Sequence, residues 1–67
     1  MATGTVKMFN IHHGYGVITP DDGGPELKVY FDSIVGAADR ELQEGEKVEY
    51  DPTVQEDRPV AEHVRRL

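Results

Sequence analysis

Within His13-Gly14-Tyr15-Gly16-Val17-Ile18-Thr19 glycine alternates with bulk, and no other stretch of this 67-residue chain restricts its fold as tightly. Side chains of a strand alternate between faces. Tyr15 and Val17 therefore share one face, while the opposite face is thin at Gly14 and Gly16 until Ile18 fills it. A glycine inside a strand gives up packing and marks a bend, a bulge or a close approach by another backbone or a ligand. Two designs fit: a hairpin strand whose glycines relieve crowding, and a barrel that curves tightly behind an outward aromatic. The flanking sequence separates them.

Thr3 to Asn10 reads as a first strand opened by Gly4. Strict alternation would place Met8 on the side of Val6, with Lys7 and Phe9 opposite. The adjacent Met8-Phe9 pair breaks that pattern and predicts a twist or bulge. A short turn from Asn10 leads into the second strand, Tyr15–Thr19, which stops at Pro20. Asp21-Asp22-Gly23-Gly24-Pro25 is the strongest turn signal in the chain. The third strand, Leu27–Phe31, puts Leu27, Val29 and Phe31 on one face and Lys28 and Tyr30 on the other. Lys28 and Tyr30 then stand beside Tyr15 and Val17 as one exposed patch. Asp32–Glu44 predicts at most a turn or two of helix, one capped by Asp32 or Ser33 and one over Ala37–Leu42. A fourth strand is expected at Lys47–Asp51 with Val48 and Tyr50 inward, then a polar loop over 52–58 and a fifth strand at Val60–Arg66. Ala61 and Val64 are three apart, so burying both requires a bulge. Five short strands without an edge-covering helix predict a small closed barrel.

A chain of this length forms one domain, residues 1–67, near the lower limit for a core that holds unaided. It contains no cysteine, which excludes disulfides and thiolate metal sites. No apolar run is long enough to span a bilayer and the first 20 residues lack a signal peptide's apolar core, so no membrane partner is expected and the cytoplasm is the expected setting. His12 and His13 are neighbours on a turn and rarely converge on one ion, so no metal is expected. No nucleophile–base order or phosphate-binding glycine loop is present, so neither catalysis nor a cofactor is expected.

The net charge of -6 opposes a polyanionic partner until its distribution is considered. Residues 1–20 contain no acid. Asp39–Asp57 holds eight acids against Arg40 and Lys47, a net of -6, and residues 58–67 return to +2. This segregation along the chain predicts one face that is neutral to basic and another that repels polyanions.

Gly4-Thr5-Val6-Lys7, Phe9-Asn10, Gly14-Tyr15-Gly16 and Ile18-Thr19-Pro20-Asp21-Asp22-Gly23 stand in an order and spacing that resemble the bacterial cold-shock proteins. Val29, Phe31, Ile34, Leu42, Glu44-Gly45, Val48, Pro59, Ala61, Val64 and Leu67 extend the resemblance over essentially the whole chain. It implies an all-β fold, a small five-stranded antiparallel barrel of the OB type. It also implies binding of single-stranded RNA or DNA with low sequence selectivity through His13–Ile18 and Leu27–Phe31, as in RNA chaperones and regulators of transcription or translation. Bases in such modules stack on aromatic rings above a positively charged groove.

The chain departs from the family pattern, which has tryptophan at Met8, lysine at His13, phenylalanine at Val17 and Lys28, and histidine at Tyr30. Three stacking rings are missing, which predicts a weakened surface. Tyr30 restores a ring, Lys28 adds a phosphate contact, and Met8 keeps a polarizable surface. Tyr15 is the leading candidate platform, followed by Tyr30 and Lys28. Lys7 and Arg58 are candidate phosphate contacts, and His13 and Val17 complete the strand motif. Phe9 and Phe31 fit either the base-binding surface or the core. The alternative is a barrel that kept the fold and lost the ligand, serving as a module for a basic protein partner through the acidic 39–57 segment. A small closed barrel predicts a monomer.

Overall fold

Val6, Ile18, Val29, Val48 and Val64 alternate with more exposed neighbours along their strands and are at most 1% exposed. Each buried aliphatic side chain contributes about 1.5–3 kcal/mol. The computed structural model describes residues 2–35 and 42–67. Its strands are β1 (Ala2–Asn10), β2 (Tyr15–Pro20), β3 (Leu27–Tyr30), β4 (Lys47–Gln55) and β5 (Arg58–Arg66). They close into a barrel in the order β1-β2-β3-β5-β4. All neighbours run antiparallel except β3 and β5, whose short parallel pairing of Lys28 with Val60 and Val29 with Ala61 completes the ring. Tyr50 is 1% exposed within the core. Burial and the nearby carboxylates of Asp22 and Asp21 push its phenol up.

Both expected irregularities occur. In β1 the register passes from Val6 opposite Ile18 to Met8 opposite Val17, leaving Lys7 as the extra residue. That bulge reverses the alternation: Met8 shares the outward row of Val17, and Phe9, opposite Gly16, packs against the core. In β5 the register slips between Arg65 and Glu62, with His63 at φ 52°, and Ala61 and Val64 are both fully buried.

Besides one-residue extensions of β1 to Ala2 and of β2 to Pro20, three boundaries differ from the sequence reading. β4 continues through Pro52 to Gln55, and Pro52 lies opposite Ala61 where a polar loop was expected. The pairing of β4 with β1 ends at Tyr50, so Pro52 sits on a free edge where no donor is required. The connection to β5 is only Glu56-Asp57, both at positive φ (50° and 65°), a two-residue hairpin turn. The third strand ends at Tyr30, and Phe31 opens a 3₁₀ turn, Phe31–Ser33, that begins without a side-chain cap. Phe31 thereby leaves the inward row of Leu27 and Val29 and is 46% exposed. The helical turn expected over Ala37–Leu42 lies outside the described residues, apart from Leu42, which is buried.

Candidate nucleic-acid interface

The turn between β1 and β2 is built by Asn10. Its side-chain oxygen accepts from the backbone N–H of His12 (2.9 Å) and of His13 (3.3 Å), and its carbonyl accepts from Gly14 (2.8 Å). Gly14 closes the turn at φ 75°, a conformation that favours glycine. The two glycines flanking Tyr15 are each covered by a phenylalanine. A Cβ on Gly16 would lie 2.6 Å from the Phe9 ring and 2.5 Å from the Met8 carbonyl oxygen, and one on Gly14 would lie 3.1 Å from the Phe31 ring. Rings occupying the space left by glycine thus hold β2 tightly against its neighbours.

On the outward side two cross-strand rows result. Met8, Val17 and Lys28 form one, and Asn10, Tyr15 and Tyr30 the other. Lys28 links them: its ammonium stands 4.5 Å from the Tyr15 ring centroid and 5.3 Å from that of Tyr30. Such cation–π contacts are worth about 0.5–1 kcal/mol at exposed sites. The His13 imidazole stacks alongside Tyr15, with centroids 5.9 Å apart and planes 7° from parallel.

A groove of about 380 Å³ opens beside these rows, lined by Tyr15, Val17, Lys28 and Tyr30 on one side and by Gln55, Arg58, Pro59 and Val60 on the other. Barrel closure supplies the second wall, because it sets Val60 opposite Lys28. Two carboxylates, Glu26 and Glu56, also line it. Glu26 is neutralised by Lys7 at 3.0 Å. Lys47, Arg65 and Arg66 also lie within 4 Å of a carboxylate, of Asp21, Glu49 and Glu46 respectively. Among the described residues, Lys28 and Arg58 pair with no carboxylate, and both face the groove.

The structure therefore brings together Tyr15, Val17, Lys28, Tyr30 and Arg58, with Met8 and His13 beside them. Phe31 is exposed against Gly14. Phe9 lies on the inward side, half-buried under Gly16, and Lys7 points to Glu26. Sequence reasoning missed Gln55, Glu56, Pro59 and Val60, whose approach depends on the β3–β5 pairing; it also missed Glu26 and Ile11, the latter 56% exposed on the turn beside His12. Among the described residues no three His, Asp or Glu side chains gather as a metal-binding group, and no helix is long and apolar enough to cross a membrane.

Comparison with known proteins gives a consistent result. Residues 2–67 match the model of the 'Cold-shock' DNA-binding domain. Cold shock protein ScoF of Streptomyces coelicolor is 44% identical over 64 residues, 96% of each chain. Probable cold shock protein A of Mycolicibacterium smegmatis is 39% identical over the full length of both chains. Among solved structures, Drosophila Unr CSD456 superimposes with a TM-score of 0.80 at 23% identity; the match covers 98% of this chain and about a quarter (26%) of that one, and it shows the shared fold.

Proposed function

This chain belongs to the cold-shock domain family, and on that premise we propose that it binds single-stranded RNA or DNA on the outward face of β1–β3. Unpaired bases lie on Tyr15 and Tyr30, and Lys28 and Arg58 meet the phosphates. Val17, Met8, His13 and Phe31 extend the surface, and Lys7 reaches a phosphate on leaving Glu26. Most of the affinity is independent of sequence. The domain acts as a monomer in the cytoplasm without a chemical step, holding bases out of pairing as an RNA chaperone or regulator of transcription or translation.

One observation carries this reading. The described Lys and Arg side chains that no carboxylate engages are Lys28, over the tyrosine rings, and Arg58, across the groove from them. Base–aromatic stacking contributes about 1–3 kcal/mol per base, and phosphate contacts make such binding fall with salt. The Met8, Val17 and Lys28 positions, where the family pattern carries rings, form a single row. The loss of stacking is therefore concentrated in one cross-strand row, and the neighbouring row of Tyr15 and Tyr30 keeps its platform.

The alternative of a basic protein partner at the acidic segment is less well supported. Glu46, Glu49 and Asp51 of that segment already face Arg66, Arg65 and His63. Titration with a thymine or uracil oligomer at low salt, followed by tyrosine fluorescence, tests the assignment. We expect saturable quenching that weakens as salt rises. Unchanged emission throughout would refute it.

A further inference from the structure

Resting on the nucleic-acid reading above, we propose that one base position of the groove selects guanine, and that Lys28 is the residue that selects it. Lys28 lies opposite Val17 and within reach of both tyrosine faces, at 4.5 Å and 5.3 Å from the ring centroids. A base stacking on either ring displaces the ammonium to that base's edge. An ammonium has three donors and no acceptor. Guanine offers it two adjacent acceptors, O6 and N7. Adenine sets an amino donor beside its N7, cytosine presents its N4 amino group, and thymine presents O4 beside a methyl group. On that edge only guanine accepts the ammonium in bidentate fashion. Cytosine could do so only through N3 and O2 of its pairing edge, and a cytosine heptamer bound as tightly as the guanine one would overturn the assignment.

The rest of the groove fits the same base. Arg58 adds further donors on the opposite wall, and Glu26 and Glu56 supply acceptors. In an unpaired strand the guanine N1–H and N2 amino group are free to donate to those carboxylates. Thymine has one N–H for the same role. A purely electrostatic phosphate groove has no use for lining carboxylates, whereas a site that reads guanine uses both signs. The volume of about 380 Å³ is in the range of small-molecule sites.

The test uses the intact chain and five heptamers: all thymine, and the same strand with its central base changed to guanine, adenine, cytosine or 7-deazaguanine. Affinities are measured by fluorescence at fixed low salt for the native protein and for Lys28→Met, which keeps the aliphatic stem. The guanine heptamer should bind about tenfold more tightly than the thymine one. 7-Deazaguanine, which stacks equally but lacks N7, should lose most of that gain. In Lys28→Met the guanine-to-thymine ratio should fall to near one. Equal native affinities, retention of the preference by 7-deazaguanine, or its survival in Lys28→Met would overturn the assignment while leaving nucleic-acid binding in place. Failure of every heptamer to bind would overturn both.

Discussion

The outward face of β1–β3 and that of β4–β5 are made from the same pleated ribbon but arrange charge in opposite ways. Across β4 and β5, Glu49 meets Arg65 at 3.7 Å, and Asp51 meets His63 at 3.1 Å. Glu46, just before β4, meets Arg66 at 3.1 Å. These pairs lie on the surface and are individually worth about 0–1 kcal/mol. Across β2 and β3 the cation Lys28 stands over tyrosine rings, with Arg58 across the groove. One face sets its arginines against carboxylates, and the other holds Lys28 and Arg58 without a carboxylate partner, available to a ligand. Net charge summed over the chain hides this division.

The comparison breaks most severely at Gly16, where the ligand-facing strand depends on space that β4–β5 does not need. A valine there would collide with the Phe9 ring and, less avoidably, with the Met8 carbonyl. Overpacking of this kind costs about 1–3 kcal/mol and here belongs at the upper end, because backbone must shift. Urea denaturation of Gly16→Val should show that loss, and an unchanged midpoint would remove the close-approach argument. Next, Tyr15→Ala should weaken oligonucleotide binding by about 1–3 kcal/mol with little change in the urea midpoint, since the ring lies on the outward face. A smaller effect sharpens the division of charge. With an all-thymine strand, which offers Lys28 no bidentate base edge and leaves it to a phosphate, Lys28→Met should lower the slope of log affinity against log salt by about 0.7, the contribution of one phosphate contact to a single strand. Arg65→Met, on the self-paired face, should leave the slope as it was.

The smallest effect concerns Asp21, which ties the turn after β2 to β4. It accepts from Lys47 at 2.7 Å and from the Thr3 hydroxyl at 2.9 Å, and these hydrogen bonds hold its carboxyl below the ordinary 3.8. A depressed carboxyl stabilises the fold at pH above its unfolded value, and that stabilisation is lost as pH falls through the lower folded value. Asp21→Asn should flatten this acid limb slightly in urea titrations between about pH 5 and pH 2. An identical acid limb would assign the limb to other carboxylates.

Much of the barrel was legible in the sequence because two-residue alternation and its interruptions are local signals. Met8-Phe9 and Ala61/Val64 announced bulges, although only the register identified Lys7 and His63 as the extra residues. The tail of β4 was illegible. Pro52 signals a break unless the neighbouring edge is known to be free, and Glu56-Asp57 lacks the glycine that usually announces a two-residue turn. Phe31 looked inward because alternation was carried one residue past the end of the strand. Tyr15, Lys28 and Tyr30 were found as a patch from alternation alone. The far wall of the groove, Arg58 apart, was not, since the pairing of Lys28 with Val60 joins residues more than thirty positions apart and leaves no local trace.

The central claim is that ligand meets the face of unengaged cations and rings, not the self-paired face. Backbone amide NMR during titration with a thymine oligomer at low salt examines both faces at once. Shifts should concentrate in residues 7–18, 27–31 and 58–60 while 47–51 and 62–66 stay in place. Perturbations centred on the β4–β5 outer surface, with Tyr15, Lys28 and Tyr30 unmoved, would contradict the account.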